Sequence, residues 1–159
     1  MQQKIVTFLW FDGNAEDAVR HYMGIFKNSR KLAVSHWGDV GPPGTKGSVL
    51  TVMFELEGQQ YVALNGGPEF KFNEAVSLLI HCDTQEEIDY YWNRLSEGGA
   101  TSQCGWLKDK FGLSWQVCPR LMMDLLHGKD QKKLDRAMAA MMTMTKFDLA
   151  KIKAAAEGK

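Results

Sequence analysis

An order of elements that occurs twice constrains the fold more than any other feature of this chain. Ile5 to Phe11 is an apolar run rich in aromatic and β-branched residues, the pattern of a buried strand. Asp12-Gly13-Asn14 turns the chain, and Asn14 is suited to cap a helix. From Ala15 to Phe26, apolar residues recur at Ala18, Val19, Tyr22 and Ile25, with Glu16 and Asp17 in the first turn. That spacing predicts an amphipathic helix whose acidic start suits its macrodipole. The same order returns: a strand over Ala75 to Cys82, a cap at Asp83-Thr84, and a helix over Glu86 to Leu95. Its stripe is Ile88, Tyr91, Trp92 and Leu95, and Gly98-Gly99 ends it. Pairing Asn14 with Asp83 and Tyr22 with Tyr91 sets the repeat at 69 positions (83−14 and 91−22).

Three strand candidates follow the first helix: Lys31 to Trp37, Ser48 to Leu56 and Gln60 to Leu64. A Gly/Pro loop, Gly38 to Gly47, separates the first two, and Glu57-Gly58 turns between the last two. Shorter candidates at Thr101–Gln103, Trp106–Lys108 and Leu113–Val117 follow the second helix. Both halves therefore read βαβββ, as a duplicated module would. Beyond Pro119 the pattern is helical over Arg120 to Leu126, Gln131 to Met144 and Phe147 to Ala156, with Asp130 or Lys129 opening the middle segment. Six of the nine methionines fall in Met122–Met144, which reads as an adaptable packing face. The expectation is one α+β domain over 1–159: a first module at 1–70, a second at 71–119 and C-terminal helices at 120–159.

Composition excludes several function classes. Lys plus Arg and Asp plus Glu are both 19, so no bulk charge draws the chain to nucleic acid or an anionic membrane. No apolar run is long enough to span a bilayer, and Met1-Gln2-Gln3-Lys4 does not open a signal peptide. Three cysteines, an odd number without paired spacing, point to a reducing compartment, with the cytoplasm as the default.

The segment Cys104-Gly105-Trp106-Leu107-Lys108-Asp109-Lys110-Phe111-Gly112-Leu113-Ser114-Trp115-Gln116 is the most distinctive stretch. Asp109 to Gly112 forms a turn, and the last strand runs out of it. With Phe11-Asp12-Gly13-Asn14-Ala15-Glu16, Ala63-Leu64-Asn65-Gly66-Gly67-Pro68 and Cys82-Asp83-Thr84-Gln85-Glu86-Glu87, it resembles the PhnB-like family. That family lies within the vicinal oxygen chelate superfamily, which has the glyoxalase and bleomycin-resistance fold. Its members often carry the label 3-demethylubiquinone-9 3-methyltransferase. The resemblance implies two βαβββ modules with cupped sheets and a homodimer.

In metal-using members of the superfamily, ligands come from the first and last strands of each module. The resemblance places Thr7, Phe8, Trp10, Asn65, Ser77, His81 and Gln116 at those positions. This set has no carboxylate and one histidine, and the glutamate of metal-dependent relatives is replaced by Gln116. A divalent ion needs several anionic or imidazole donors, so neither a metal nor another cofactor is expected. The methyltransferase label is also a poor fit. Asn65-Gly66-Gly67-Pro68 lacks a following helix, and Pro68 removes a backbone donor, so a tight turn explains it better than a nucleotide-binding loop.

Candidate ligand-binding residues are Phe8, Trp10, Asn65, Ser77, His81, Trp106, Trp115 and Gln116. Strand alternation puts Ser77 and His81 on one face. His81 is a candidate acid or base, weighed against a hydrogen-bonded structural histidine. Cys104, with Lys108 and Lys110 nearby, is a candidate reactive thiol, weighed against an inert one. The aromatic residues suit a flat ligand or a filled core. Three classes follow: a binding protein for a small, partly aromatic molecule, an enzyme of the glyoxalase/dioxygenase superfamily, and a non-catalytic dimeric interaction protein.

Overall fold

The computed structural model describes residues 3–159, so Met1 and Gln2 of the N-terminal reading lie outside the described residues. The chain forms two compact units, the first ending at Phe72 and the second spanning Asn73–Lys159.

In the first unit, β1 (Thr7–Phe11) leads into α1 (Ala15–Ile25), then β2 (Ser29–His36), β3 (Val49–Leu56) and β4 (Gln59–Asn65). The sheet order is β1-β4-β3-β2, with β1 parallel to β4 and the other pairs antiparallel. Register fixes its two faces. Thr7, Tyr61, Phe54 and Lys31 share one row, and Phe54 stacks on Tyr22 of α1 with centroids 6.5 Å apart. Odd-numbered β1 residues therefore turn toward α1, and Leu9 and Phe11 are buried there with Ala18, Val19, Tyr22 and Ile25. Phe8 and Trp10 point to the opposite face.

In the second unit, β5 (Leu78–Cys82), α2 (Gln85–Ser96), β6 (Ala100–Thr101), β7 (Trp106–Lys108) and β8 (Ser114–Pro119) repeat the plan. The sheet order is β5-β8-β7-β6, again with one parallel pair, β5 with β8. Helices α3 (Arg120–Leu126), α4 (Gln131–Met141) and α5 (Leu149–Glu157) follow, and α4 packs against α5. Asp130 accepts from the Lys133 N–H to cap α4, which ends before the expected Met144. Gln85 ties α2 to the C-terminal segment, accepting from Leu149 N–H and donating to Phe147 O.

The repeat offset in the helices is 70, not 69. Ala18, Tyr22 and Ile25 correspond to Ile88, Trp92 and Leu95 (88−18, 92−22 and 95−25), all buried. The shift arises at the cap. Thr84, not Asp83, accepts from the Glu87 N–H at 3.2 Å. Asp83 instead pairs with Arg120 at 2.8 Å, while Glu87 accepts from the Asp83 N–H. Tyr91, one position off the repeat, is only half-buried.

Candidate functional site

A cavity of about 580 Å³ opens in the second unit, bordered by β6, β7, the 102–104 turn and the start of β8. Register explains which side chains reach it. Leu79, Gln116 and Trp106 form one row across β5, β8 and β7, and Ser114, Lys108 and Ala100 form the next. Leu78, Trp115 and Leu107 form the alternate row, whose side chains turn to the other face, although Leu107 also borders the cavity. Trp106, Lys108, Ala100 and Ser114 all border the cavity.

Of the expected ligand-contacting residues in this unit, Trp106 borders the cavity. Gln116 shares its sheet row and His81 shares the face of Leu79 by alternation, but neither they nor Ser77, which precedes β5, line it. The Gln116 amide donates to Ser77 Oγ at 2.8 Å, so these two polar groups are partners of each other. His81 pairs in register with Cys118 and is exposed.

Trp115 does not border this cavity. It is buried on the far face, where Nε1–H donates to Asp109 Oδ2 at 2.8 Å. Asp109 Oδ1 accepts from the Phe111 and Leu113 N–H groups. This buried carboxylate thus organises the turn between β7 and β8 and anchors the indole. Alternation alone separates Trp115 from its neighbour Gln116.

Cys104 borders the cavity with a backbone φ of 57°, unusual for a non-glycine residue. Its N–H donates to Met144 O at 2.8 Å, and Gly105 N–H donates to Thr145 O at 2.8 Å, clamping the turn to the segment after α4. Gly105 is required here: a Cβ would stand 2.6 Å from the Phe147 ring and 2.7 Å from Val117 O. Burial raises the other two thiols, Cys82 to about 12 and Cys118 to about 11.

In the first unit, Asn65 is not a free polar anchor. Its Oδ1 accepts from Ala15 N–H at 2.9 Å, and Nδ2 donates to Val49 O at 3.0 Å. Asn14 occupies the cap position of α1 without a side-chain bond, and Asn65 does that work from β4. Trp10 is enclosed by its own unit's loop: Nε1–H donates to Gly67 O at 2.8 Å, and Phe70 packs edge-on at 4.8 Å. Phe8 is 62% exposed.

Lys108, Ser114 and Glu74 were absent from the expected set. Ser114 is fully buried, and its Oγ has no hydrogen-bond partner among the described residues. Lys108 pairs with Glu74 at the cavity. The signal for the first two lay in the Asp109–Gly112 turn, whose hairpin register sets Lys108 opposite Ser114.

Among the described residues, no three His, Cys, Asp or Glu side chains gather as a metal ion would require. The residues at the positions implied by the superfamily do not fit one: Asn65 is committed to backbone, and Gln116 to Ser77.

Residues 3–118 match the family described as 3-demethylubiquinone-9 3-methyltransferase. Among solved structures, the chain is similar to a putative 3-demethylubiquinone-9 3-methyltransferase, PhnB protein, from Bacillus cereus. Identity is 36% and TM-score 0.66, covering 74% of this chain and 99% of that one. A Pseudomonas aeruginosa protein aligns at 22% identity and TM-score 0.62, over 74% of this chain and 98% of that one. The fosfomycin resistance protein FosX from Mesorhizobium loti shares the fold at 14% identity and TM-score 0.53, over 86% and 99%. No curated protein matches the chain. With two four-stranded mixed sheets built from repeated βαβββ units and added C-terminal helices, the chain belongs to the PhnB-like family of the vicinal oxygen chelate superfamily.

Proposed function

We propose that this protein binds a small, partly aromatic molecule against the open face of its second sheet, without a metal, as a cytoplasmic homodimer. The observation that carries the reading is the 580 Å³ cavity with Trp106 in its wall. That volume is in the range of sites for small organic ligands, and an indole face suits a flat apolar group. An open cavity speaks against a module whose sheet face is simply filled. The donor chemistry of the first, fourth, fifth and last strands supports a metal-free site.

Methyl transfer is not the activity proposed. In Asn65-Gly66-Gly67-Pro68, a Cβ on Gly66 would meet the Trp10 ring at 2.4 Å. The glycine there serves close packing against Trp10, which accounts for the motif without a methyl-donor cofactor.

A catalytic reading has one specific support: Cys104 borders the same cavity on left-handed backbone, its Sγ donating to Met141 O at 3.8 Å. The test is titration calorimetry against a panel of small aromatic compounds, with the wild type and Trp106→Leu. Binding that Trp106→Leu abolishes supports the site. A panel with no ligand, or binding indifferent to Trp106→Leu, overturns it. Turnover of a bound compound that Cys104→Ser removes would decide for the enzyme.

A further inference from the structure

The second unit's cavity has a polar end and an apolar end, and the two are one sheet row apart. Lys108 and Ser114 are directly opposed across the β7–β8 ladder. Such antiparallel partners hold their Cβ atoms roughly 5 Å apart on one face of the sheet, so the Lys108 and Ser114 side chains leave neighbouring points of the cavity wall. The next row carries Trp106, Gln116 and Leu79. Rows two residues apart along a strand are separated by roughly 6.6 Å. Gln116 is engaged with Ser77, and Trp106 is the residue of that row that borders the cavity.

Two observations make the polar end a site rather than a surface pair. Ser114 borders the cavity, and its buried Oγ has no partner among the described residues. A buried hydroxyl without a partner carries a desolvation cost that a ligand acceptor would remove. Lys108 already holds a carboxylate, that of Glu74, which precedes β5 and also borders the cavity. Glu74 is the more exposed of the two side chains, at 60% against 41%. An exposed ion pair of this kind contributes little to stability and exchanges readily. The Lys108 ammonium, hydrogen-bonded to Glu74, also holds the Glu74 carboxyl below the usual carboxylate range.

We propose that the cavity selects a carboxylate on a short aryl arm, with Lys108 and Ser114 binding the carboxylate, Trp106 facing the aryl group, and Glu74 standing in for the ligand until it arrives. The assignment rests on the ligand-binding reading above and specifies its ligand class. Binding exchanges one ion pair for another and adds the Ser114 hydrogen bond, so net charge at Lys108 stays balanced. Glu74 is then an internal competitor, and removing its charge frees Lys108 for the ligand.

The experiment is titration calorimetry with 3-phenylpropionate and its neutral isostere 3-phenylpropanamide. The acid should bind about tenfold more tightly than the amide, the size expected for a charge-assisted hydrogen bond. Lys108→Met should abolish that preference, and Ser114→Ala should weaken the acid several-fold. Ser114→Ala should leave the melting temperature unchanged or raised, because it deletes an unpartnered buried hydroxyl. Glu74→Gln should tighten the acid and leave the amide unchanged, a result no structural role for Glu74 produces. Equal affinity of acid and amide, or weaker acid binding by Glu74→Gln, overturns the proposal. If neutral aromatics bind in a Trp106-dependent way while the acid gains nothing, this assignment falls and the binding reading stands. If neither acid nor any neutral aromatic binds, both fall.

Discussion

Trp115 and Asp109 are both buried and joined by a 2.8 Å hydrogen bond from the indole Nε1–H to Oδ2. The same carboxylate accepts two backbone N–H bonds through Oδ1. Asp109→Ala would remove the shared acceptor of three donors at the β7–β8 turn, two of them in buried bonds. At about 1–3 kcal/mol for each buried group left unsatisfied, with partial relaxation, the expected loss is about 3–5 kcal/mol. Urea unfolding should show it as a lower midpoint, and Asp109→Asn should recover part of it. A loss below about 1 kcal/mol would mean that the turn is held by other contacts.

Asn65 links β4 to the start of α1 and to the end of β3 through its two amide bonds. Asn65→Ala removes both, and the expected destabilisation is about 1–2 kcal/mol, comparable to loss of a helix cap. Ligand affinity should not change. Weakened binding with unchanged stability would restore Asn65 as a ligand anchor and contradict the structural assignment.

These two residues also show where sequence reasoning succeeds and where it stops. The element order was legible because apolar spacing, caps and turn residues all agreed, and burial of Ala18, Tyr22 and Ile25 follows from their spacing. The repeat offset slipped by one because Asp83 looks as good a cap as Thr84, and only the distant Arg120 decides which is free. Asn65 and Gln116 read as orienting groups because their partners, Ala15 N–H, Val49 O and Ser77 Oγ, come from other elements. The polar end of the cavity required the register across a five-residue connection, Asp109–Leu113, before Lys108 and Ser114 became neighbours.

The three thiols should separate by reactivity. Cys82 and Cys118 are buried, with pKa values pushed up to about 12 and about 11, so neither presents thiolate near neutral pH. Titration of native protein with a disulfide reagent at pH 8 should modify one thiol, Cys104, and denaturant should expose all three. Two fast-reacting thiols in the native state would contradict the burial. The same shifts set an alkaline limit. Between the ordinary thiol value of 9.0 and about 12, the unfolded chain loses protons that the folded chain keeps. Stability from these groups is therefore full below pH 9 and falls as pH rises toward 11 and 12. Melting temperature measured from pH 8 to 11 should decline, and Cys82→Ala with Cys118→Ala should flatten part of that decline.

Phe8 projects from β1, an edge strand of its sheet, with 62% of its surface exposed, and faces away from α1. Open strand edges and exposed large apolar groups are surfaces that a second copy can cover. The homodimer reading predicts that the protein sediments at twice the chain mass of 17.9 kDa at micromolar concentration. Phe8→Asp would place a charge in that contact and shift the population to monomer, while the far-ultraviolet circular dichroism stays unchanged because Phe8 contributes little to its own unit's core. A wild type that sediments as a monomer, or a Phe8→Asp variant as dimeric as the wild type, would show that this face does not mediate assembly.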